Sequence, residues 1–321
     1  MSPSTNRSIA LVGAGAIGTH VLRALLKSPH HPKVIVLTRT GSKKDLPSDL
    51  SSATFIPVDY TDVAALTTLF KEHSVEVVVS TVGTPGYKDA QHALADAAKA
   101  SGSVKLFVPS EFGVPTEGAH ANREDNLFAV KDEVAFLEYL RSIGLPYTRV
   151  YVSVCVTYGD NELMVLFIHQ TGLFMGYIPW IVGRDVDENV HILGKGETPF
   201  TTTSEEDIGG FVAHIVTSLP LTSPELVNAS LRIQSQRLTL RDYARIINKP
   251  VVSVAQGASI PAKSDGEKPF KSFLQTQIEE GKATTGYDRR NGKEIEGATG
   301  SANKLWEGHV WQTVEGFGPD H

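Results

Sequence analysis

The chain has 321 residues, 41% hydrophobic and 21% charged, with a net charge of −6, a composition suited to one large α/β core with a smaller appended domain. The acidic balance argues against a nucleic-acid partner, which needs a basic face or stripe, and no apolar run is long enough to span a membrane. A single cysteine, Cys155, excludes an intramolecular disulfide and a cysteine-based zinc cluster; its apolar surroundings mark it as a small core residue. The polar stretch from Met1 to Arg7 carries no signal-peptide pattern, so a cytoplasmic protein is expected.

The first element is an apolar run, Ile9-Ala10-Leu11-Val12, that leads into Gly13-Ala14-Gly15-Ala16-Ile17-Gly18 and a helical pattern to Lys27. A second strand follows over 33–38. A glycine signature is weak alone, but a strand before it and a helix after it give it a dinucleotide-binding context. Gly13 permits the tight turn, Gly15 lets the backbone approach a pyrophosphate, and Gly18 allows close helix–sheet packing. The helix N-terminus, at Ala16 and Ile17, offers free N–H groups and a positive dipole end to the phosphates.

The end of the second strand selects the cofactor. An NAD site usually places an acid about 20 residues past the glycines, against the ribose 2′-hydroxyl. Here the sequence is Thr38-Arg39-Thr40-Gly41-Ser42-Lys43-Lys44, with no acid before Asp45. Thr38, Arg39 and Lys44 suit a 2′-phosphate, Arg39 through its planar fork, so NADPH/NADP+ is the expected cofactor. The alternative is a solvated basic loop.

Further strands are expected over 54–58, 75–80, 104–109 and 147–150, and helices over 62–73, 88–100 and 123–143. The strands are continuous apolar runs, as in a parallel sheet covered on both faces, and the alternation is that of a doubly wound (Rossmann) α/β fold. A boundary is expected after residue 152, giving a dinucleotide-binding domain (1–152) and a smaller C-terminal α/β substrate lobe (153–321). In the lobe, helices are expected over 161–177, 209–218 and 239–247, strands over 189–193 and 231–233, and loops over 261–269 and 297–302. Trp306, Trp311 and Phe317 are expected as core anchors.

Ligands of doubly wound sheets bind outside the carboxyl ends of the strands. There this sequence has the glycine loop, Arg39, Asp59-Tyr60, Thr81-Val82-Gly83-Thr84-Pro85-Gly86 and Ser110-Glu111-Phe112-Gly113. The fourth of these suits the floor of a ribose or nicotinamide cleft. Asp59 could reach the adenine side or cap the helix that follows. On the helix after the fifth strand, Leu127, Val130, Val134, Leu137 and Leu140 form a buried stripe with Lys131 at its margin. Lys131 lies near the cleft-facing end, where desolvation and the helix dipole both ease proton exchange. The alternative is a surface lysine snorkelling beside Asp132 or Glu138.

The glycine loop, Arg39, Phe107-Val108-Pro109-Ser110-Glu111-Phe112-Gly113 and the segment from Lys131 to Thr148 resemble the isoflavone reductase and phenylcoumaran benzylic ether reductase group. That group is part of the NmrA-like branch of atypical short-chain dehydrogenases. The resemblance covers roughly 8–155 and fades beyond. It implies glycines for the dinucleotide at Gly13, Gly15 and Gly18, a 2′-phosphate arginine at Arg39, a nicotinamide-side loop at Thr81, Val82 and Gly83, and a catalytic lysine at Lys131. It implies an NADPH-dependent oxidoreductase acting on a small aromatic or phenolic metabolite. Leu127 stands four residues before Lys131, which excludes a Tyr-x-x-x-Lys mechanism. Ser153-Val154-Cys155-Val156 departs from the family's pattern at the substrate pocket.

The leading expectation is therefore an NADPH-dependent reductase of a small aromatic or polycyclic metabolite. Lys131 serves as proton donor or relay, and Ser110 or Tyr158 orients the substrate. Two other readings remain: a redox sensor that binds NADP(H) without turnover, and an isomerase or cyclase on the same fold. No Gly-x-Ser-x-Gly elbow or His-Glu-x-x-His spacing points to a hydrolase or a metal; His169 could line the lobe. A monomer or homodimer is expected, with a small-molecule substrate as its partner.

Overall fold

The computed structural model describes residues 6–41, 47–83, 87–119, 128–152, 174–255 and 257–317. Strands β1 (Ser8–Val12), β2 (Lys33–Arg39), β3 (Thr54–Val58), β4 (Val77–Ser80) and β5 (Leu106–Val108) form one sheet in the order β3-β2-β1-β4-β5. Every pairing is parallel, with Val12 opposite both Leu37 and Ser80 and Arg39 opposite Val58. The order reverses at β1, so the crevice of a doubly wound sheet opens beside the loop that follows it.

Helices α1 (Ala16–Leu26), α2 (Val63–Glu72), α3 (Tyr87–Ser101) and α4 (Phe128–Ser142) connect the strands, and α4 leads to β6 (Thr148–Tyr151). Ala10, Val12, Ile35, Leu37, Val78 and Phe107 face one way and pack with Leu66 and Phe70 of α2, Leu94 and Ala98 of α3, and Phe136 and Leu140 of α4. The alternate residues Ile9, Leu11, Val36 and Val79 are buried too, which explains why the strands read as unbroken apolar runs. Each such aliphatic side chain contributes about 1.5–3 kcal/mol on burial. A parallel bridge between Phe107 and Tyr147 brings the start of β6 beside β5.

The remaining elements are α5 (Ile178–Ile181), β7 (Val190–Leu193), β8 (Phe200–Thr202), α6 (Glu205–Ser218), β9 (Ala229–Arg232), β10 (Gln236–Leu238), α7 (Leu240–Ile246), β11 (Val251–Val254), α8 (Glu267–Glu279), β12 (Tyr287–Asp288), β13 (Lys293–Glu294) and α9 (Val314–Phe317). β6 pairs with β9. The chain forms two compact units, one of residues 1–111, 120–150 and 205–231, the other of 112–119, 151–204 and 232–321. The chain passes between them several times, so the expected division after residue 152 does not separate two continuous segments.

Helix α6 belongs to the first unit. A Cβ on Gly209 would lie 2.5 Å from the His20 carbonyl carbon, so glycine there allows α6 to lie directly on α1. Arg7 Nη1 donates to Val216 O at 2.7 Å, and Ser28 meets Thr217 at 3.3 Å. In the second unit, Ile178, Ile181, Val190, Ile192, Phe200, Tyr243, Leu274 and Ile278 make a separate core. Lys271, fully buried on α8, is held by Asp185, by Pro261 O at 3.0 Å and by the Trp180 ring.

Several expectations change. The stretch 261–269 is not loop throughout, because α8 starts at Glu267 and carries Pro269 in its first turn, where a missing N–H costs nothing. Most of the helix expected over 161–177 lies outside the described residues, and 175–177 form a single 3₁₀ turn. Trp306 and Trp311 are half-buried around His309, whose ring stacks 3.5 Å from that of Trp306; Phe317 packs on the second core. No described helix is long and apolar enough to cross a membrane.

Candidate functional site

The loop between β1 and α1 is shaped by two close approaches and one open space. Gly13 has φ +91°, and a Cβ on it would sit 3.0 Å from Thr81 O. Its N–H donates to Leu37 O at 2.9 Å, carrying the β1 pairing one residue beyond the strand. A Cβ on Gly18 would fall 2.3 Å from Gly13 O and 2.6 Å from Thr81 Oγ1. Around Gly15, by contrast, nothing lies within 4 Å of the place a Cβ would take. Ala16 is exposed and Ile17 buried, so the first turn of α1 has one face in the core and one free. That turn carries no acidic side chain, which leaves the positive helix end available to an anion. A glycine-lined cradle at a helix N-terminus fits a pyrophosphate, so these residues fit the expected dinucleotide.

Thr81 closes the cradle from the β4 side. Its Oγ1 lies 3.0 Å from both Val12 O and Gly13 O, and its N–H donates to Val12 O at 2.8 Å. Val82 is buried and Gly83 exposed; 84–86 lie outside the described residues. Across β1, Thr38 is half-buried and Arg39 exposed at the carboxyl end of β2. Lys44 lies outside the described residues. Tyr60 donates to Leu37 O at 2.9 Å; burial pushes its phenol up to about 12, against a smaller opposing effect of Arg39.

Asp59 does not cap α2. Its Oδ1 accepts from Thr61 Oγ1 at 2.7 Å and from Thr61 N at 2.8 Å, and these bonds hold the exposed carboxyl below its usual range. The cap is Asp62, which accepts from Ala65 N at 2.9 Å. The two acids lie three residues apart, and the local Asx turn claims the first of them.

Past β5, Ser110, Glu111 and Phe112 are all buried, Glu111 completely. Glu111 pairs with Arg149 Nη1 at 3.4 Å, and Arg149 Nη2 donates to Ser230 Oγ at 2.8 Å. The Glu111 and Phe112 side chains thus anchor their segment, and only a local opening or their backbone could present them to a cofactor. Lys131 is half-buried in the first turn of α4, with Val130 and Val134 buried on either side. Because α4 joins β5 to the parallel β6, its N-terminus lies at the carboxyl edge of the sheet. Thr81, Ser110 and Lys131 therefore belong to one edge; Leu127, Tyr158, His169 and 153–156 lie outside the described residues.

The sequence reading missed Tyr87, Gln91, Glu133 and Arg149, each no more than 3% exposed. Glu133 had a signal: it stands three residues after Val130 and four before Leu137, within the register of the buried stripe. Arg149 stands inside the apolar run of β6, where a cation demands a buried acid.

A model of the NmrA-like family matches residues 5–317. The phenylcoumaran benzylic ether reductase PT1 of Pinus taeda is 28% identical over 96% of this chain and 96% of its own length. An isoflavone reductase homolog of Solanum tuberosum is 31% identical over 74% of this chain and 72% of its own. The leucoanthocyanidin reductase of Vitis vinifera, solved as a binary complex with NADPH, superposes with a TM-score of 0.65 at 21% identity, covering 96% of this chain and 97% of that one; at that identity the likeness is one of fold. With the glycine cradle, the sheet order and a match across nearly its whole length, the chain belongs to the NmrA-like family.

Proposed function

We propose that the protein is an NADPH-dependent reductase of a small aromatic or polycyclic metabolite. The observation that carries this reading is the cradle of Gly13, Gly18 and Thr81, packed to contact around these residues and open above Gly15. Arg39 at the adjacent strand end, with no acid following it in the sequence before Asp45, favours a 2′-phosphate over a free 2′-hydroxyl. The named relatives are reductases, and the fold neighbour from grape binds NADPH. The dinucleotide would supply the hydride when bound; this chain's residues would bind and orient it, keep water from the site and deliver a proton. Lys131 is the group for that last task, as the half-buried amine at the carboxyl edge of the sheet. Ser110, Thr81, Val82 and Gly83 would line the nicotinamide side.

The first test is a titration with NADPH and NADH, followed by NADPH oxidation against a panel of phenolic and polycyclic metabolites. Binding without turnover on any member would favour a redox sensor, and product formed without NADPH loss an isomerase or cyclase. Arg39→Ala should weaken NADPH binding by about tenfold or more, the worth of a charge-assisted hydrogen bond, and leave NADH binding unchanged. An equal loss for both cofactors would remove Arg39 from the 2′-phosphate site.

A further inference from the structure

Glycine lets the β1–α1 loop turn, but it also loses more conformational freedom on ordering than any other residue. An anion cradle works best when its amides already face the phosphates and its carbonyls are turned away and occupied. Two side-chain hydroxyls, one on each side of Gly13, supply that order. Thr81 Oγ1 lies 3.0 Å from Gly13 O and 3.0 Å from Val12 O. Val12 O already accepts the Thr81 N–H at 2.8 Å, so the one hydroxyl proton is best spent on Gly13 O. On the other side Leu37 O accepts twice, from Gly13 N at 2.9 Å and from the Tyr60 hydroxyl at 2.9 Å. Tyr60 is only 8% exposed, so its bond is sheltered from water.

A continuous run of hydrogen bonds therefore crosses the carboxyl ends of β2, β1 and β4, from Tyr60 through Leu37 O and Gly13 to Thr81. Gly13 is gripped at both its N–H and its C=O, which fixes the peptide planes on either side of its φ of +91°. The Thr81 hydroxyl also lies 2.6 Å from where a Cβ on Gly18 would sit, so the first turn of α1 rests against it. We propose that Thr81 and Tyr60 are positioning residues, whose hydroxyls hold both peptides of Gly13 so that the amides beyond it stand ready for the phosphates before any ligand arrives. Thr81 thus serves the pyrophosphate through Gly13, with its proton already used. The purpose of this brace rests on the dinucleotide reading above; its geometry does not.

The first measurement needs no cofactor. Nitrogen-15 relaxation in the free protein should give the Gly13 and Gly15 amides order parameters of about 0.85, as in rigid backbone, falling toward about 0.6 in Thr81→Ala. Titration with ADP, NADPH and NADH should then show Thr81→Ala weaker for all three by a common factor of about three- to tenfold, the worth of one hydrogen bond. All three carry the pyrophosphate, and only NADPH carries the 2′-phosphate. Thr81→Ser keeps the hydroxyl and should restore both the rigidity and the affinities. Tyr60→Phe removes only a hydroxyl and should follow Thr81→Ala; it decides the matter if that variant does not fold. Wild-type order parameters in the folded Thr81→Ala and Tyr60→Phe proteins would overturn the proposal, as would a Thr81→Ser variant no better than Thr81→Ala. A loss for NADPH and NADH with ADP unaffected would overturn it too, by making Thr81 a contact of the nicotinamide half. Loosened Gly13 and Gly15 amides in a protein that binds none of the three would keep the brace and overturn the dinucleotide reading instead.

Discussion

Lys131→Met should lose about 10²–10⁴-fold in kcat, the usual worth of one positioned proton donor, while binding NADPH as the wild type does. Methionine keeps the length and apolar stem of this half-buried side chain and deletes only the amine, so folding should be unaffected. Kd for NADPH by fluorescence titration and kcat by NADPH oxidation separate the two effects. A group used only when the proton moves lowers kcat and kcat/KM together. Lys131→Arg should stay nearly as impaired, because a guanidinium holds its proton through the neutral range and fits the same space poorly. Turnover within about threefold of wild type in the methionine variant would leave Lys131 a snorkelling side chain and pass its role to another donor.

The five-stranded sheet was legible because parallel strands covered on both faces cannot hide their apolar runs, and each run ends where the structure ends it, within a residue or two. The shape of the glycine loop was legible because glycines answer local steric demands that neighbouring sequence reveals: a tight turn at Gly13 and a close approach at Gly18. What escaped was decided by distant contacts. Helix α6 has an obvious apolar stripe, yet no pattern in 205–218 says that it lies on α1 rather than in the lobe around it. Helix α8 was partly lost because Lys, Ser, Asp, Gly and Pro crowd its start; Pro269 marks a first turn rather than a loop. The buried ion pair was missed for a deeper reason. A charged residue is assigned to the surface unless its partner is known, and Glu111 and Arg149 lie 38 positions apart. Even so, Glu111 was noticed through its motif, and the structure adds its buried pairing with Arg149, which the motif did not reveal.

Gly18→Ala and Gly15→Ala should both cost NADPH affinity, for different reasons that the melting temperature distinguishes. At Gly18 the new methyl would fall 2.3 Å from a backbone oxygen and 2.6 Å from Thr81 Oγ1, and neither can yield, since Gly13 is tied to β2 and Thr81 to β1. Helix α1 must move instead, taking with it the amides that would meet the phosphates. Overpacking of this kind costs about 1–3 kcal/mol, offset by about 1 kcal/mol from replacing glycine with alanine in a helix. The result is a melting temperature lower by a few degrees and NADPH binding weaker by about tenfold or more. At Gly15 nothing lies within 4 Å of the added methyl, so the free protein should melt as the wild type does. There the methyl occupies the space left for the pyrophosphate, and affinity should fall by at least as much. Thermal melts with and without saturating NADPH read both quantities at once: Gly18→Ala lowers both curves, and Gly15→Ala lowers only the stabilisation that the cofactor provides. Full NADPH stabilisation of Gly15→Ala would mean that the open space above this glycine is not where the phosphates lie, and the cradle would have to be assigned to packing alone.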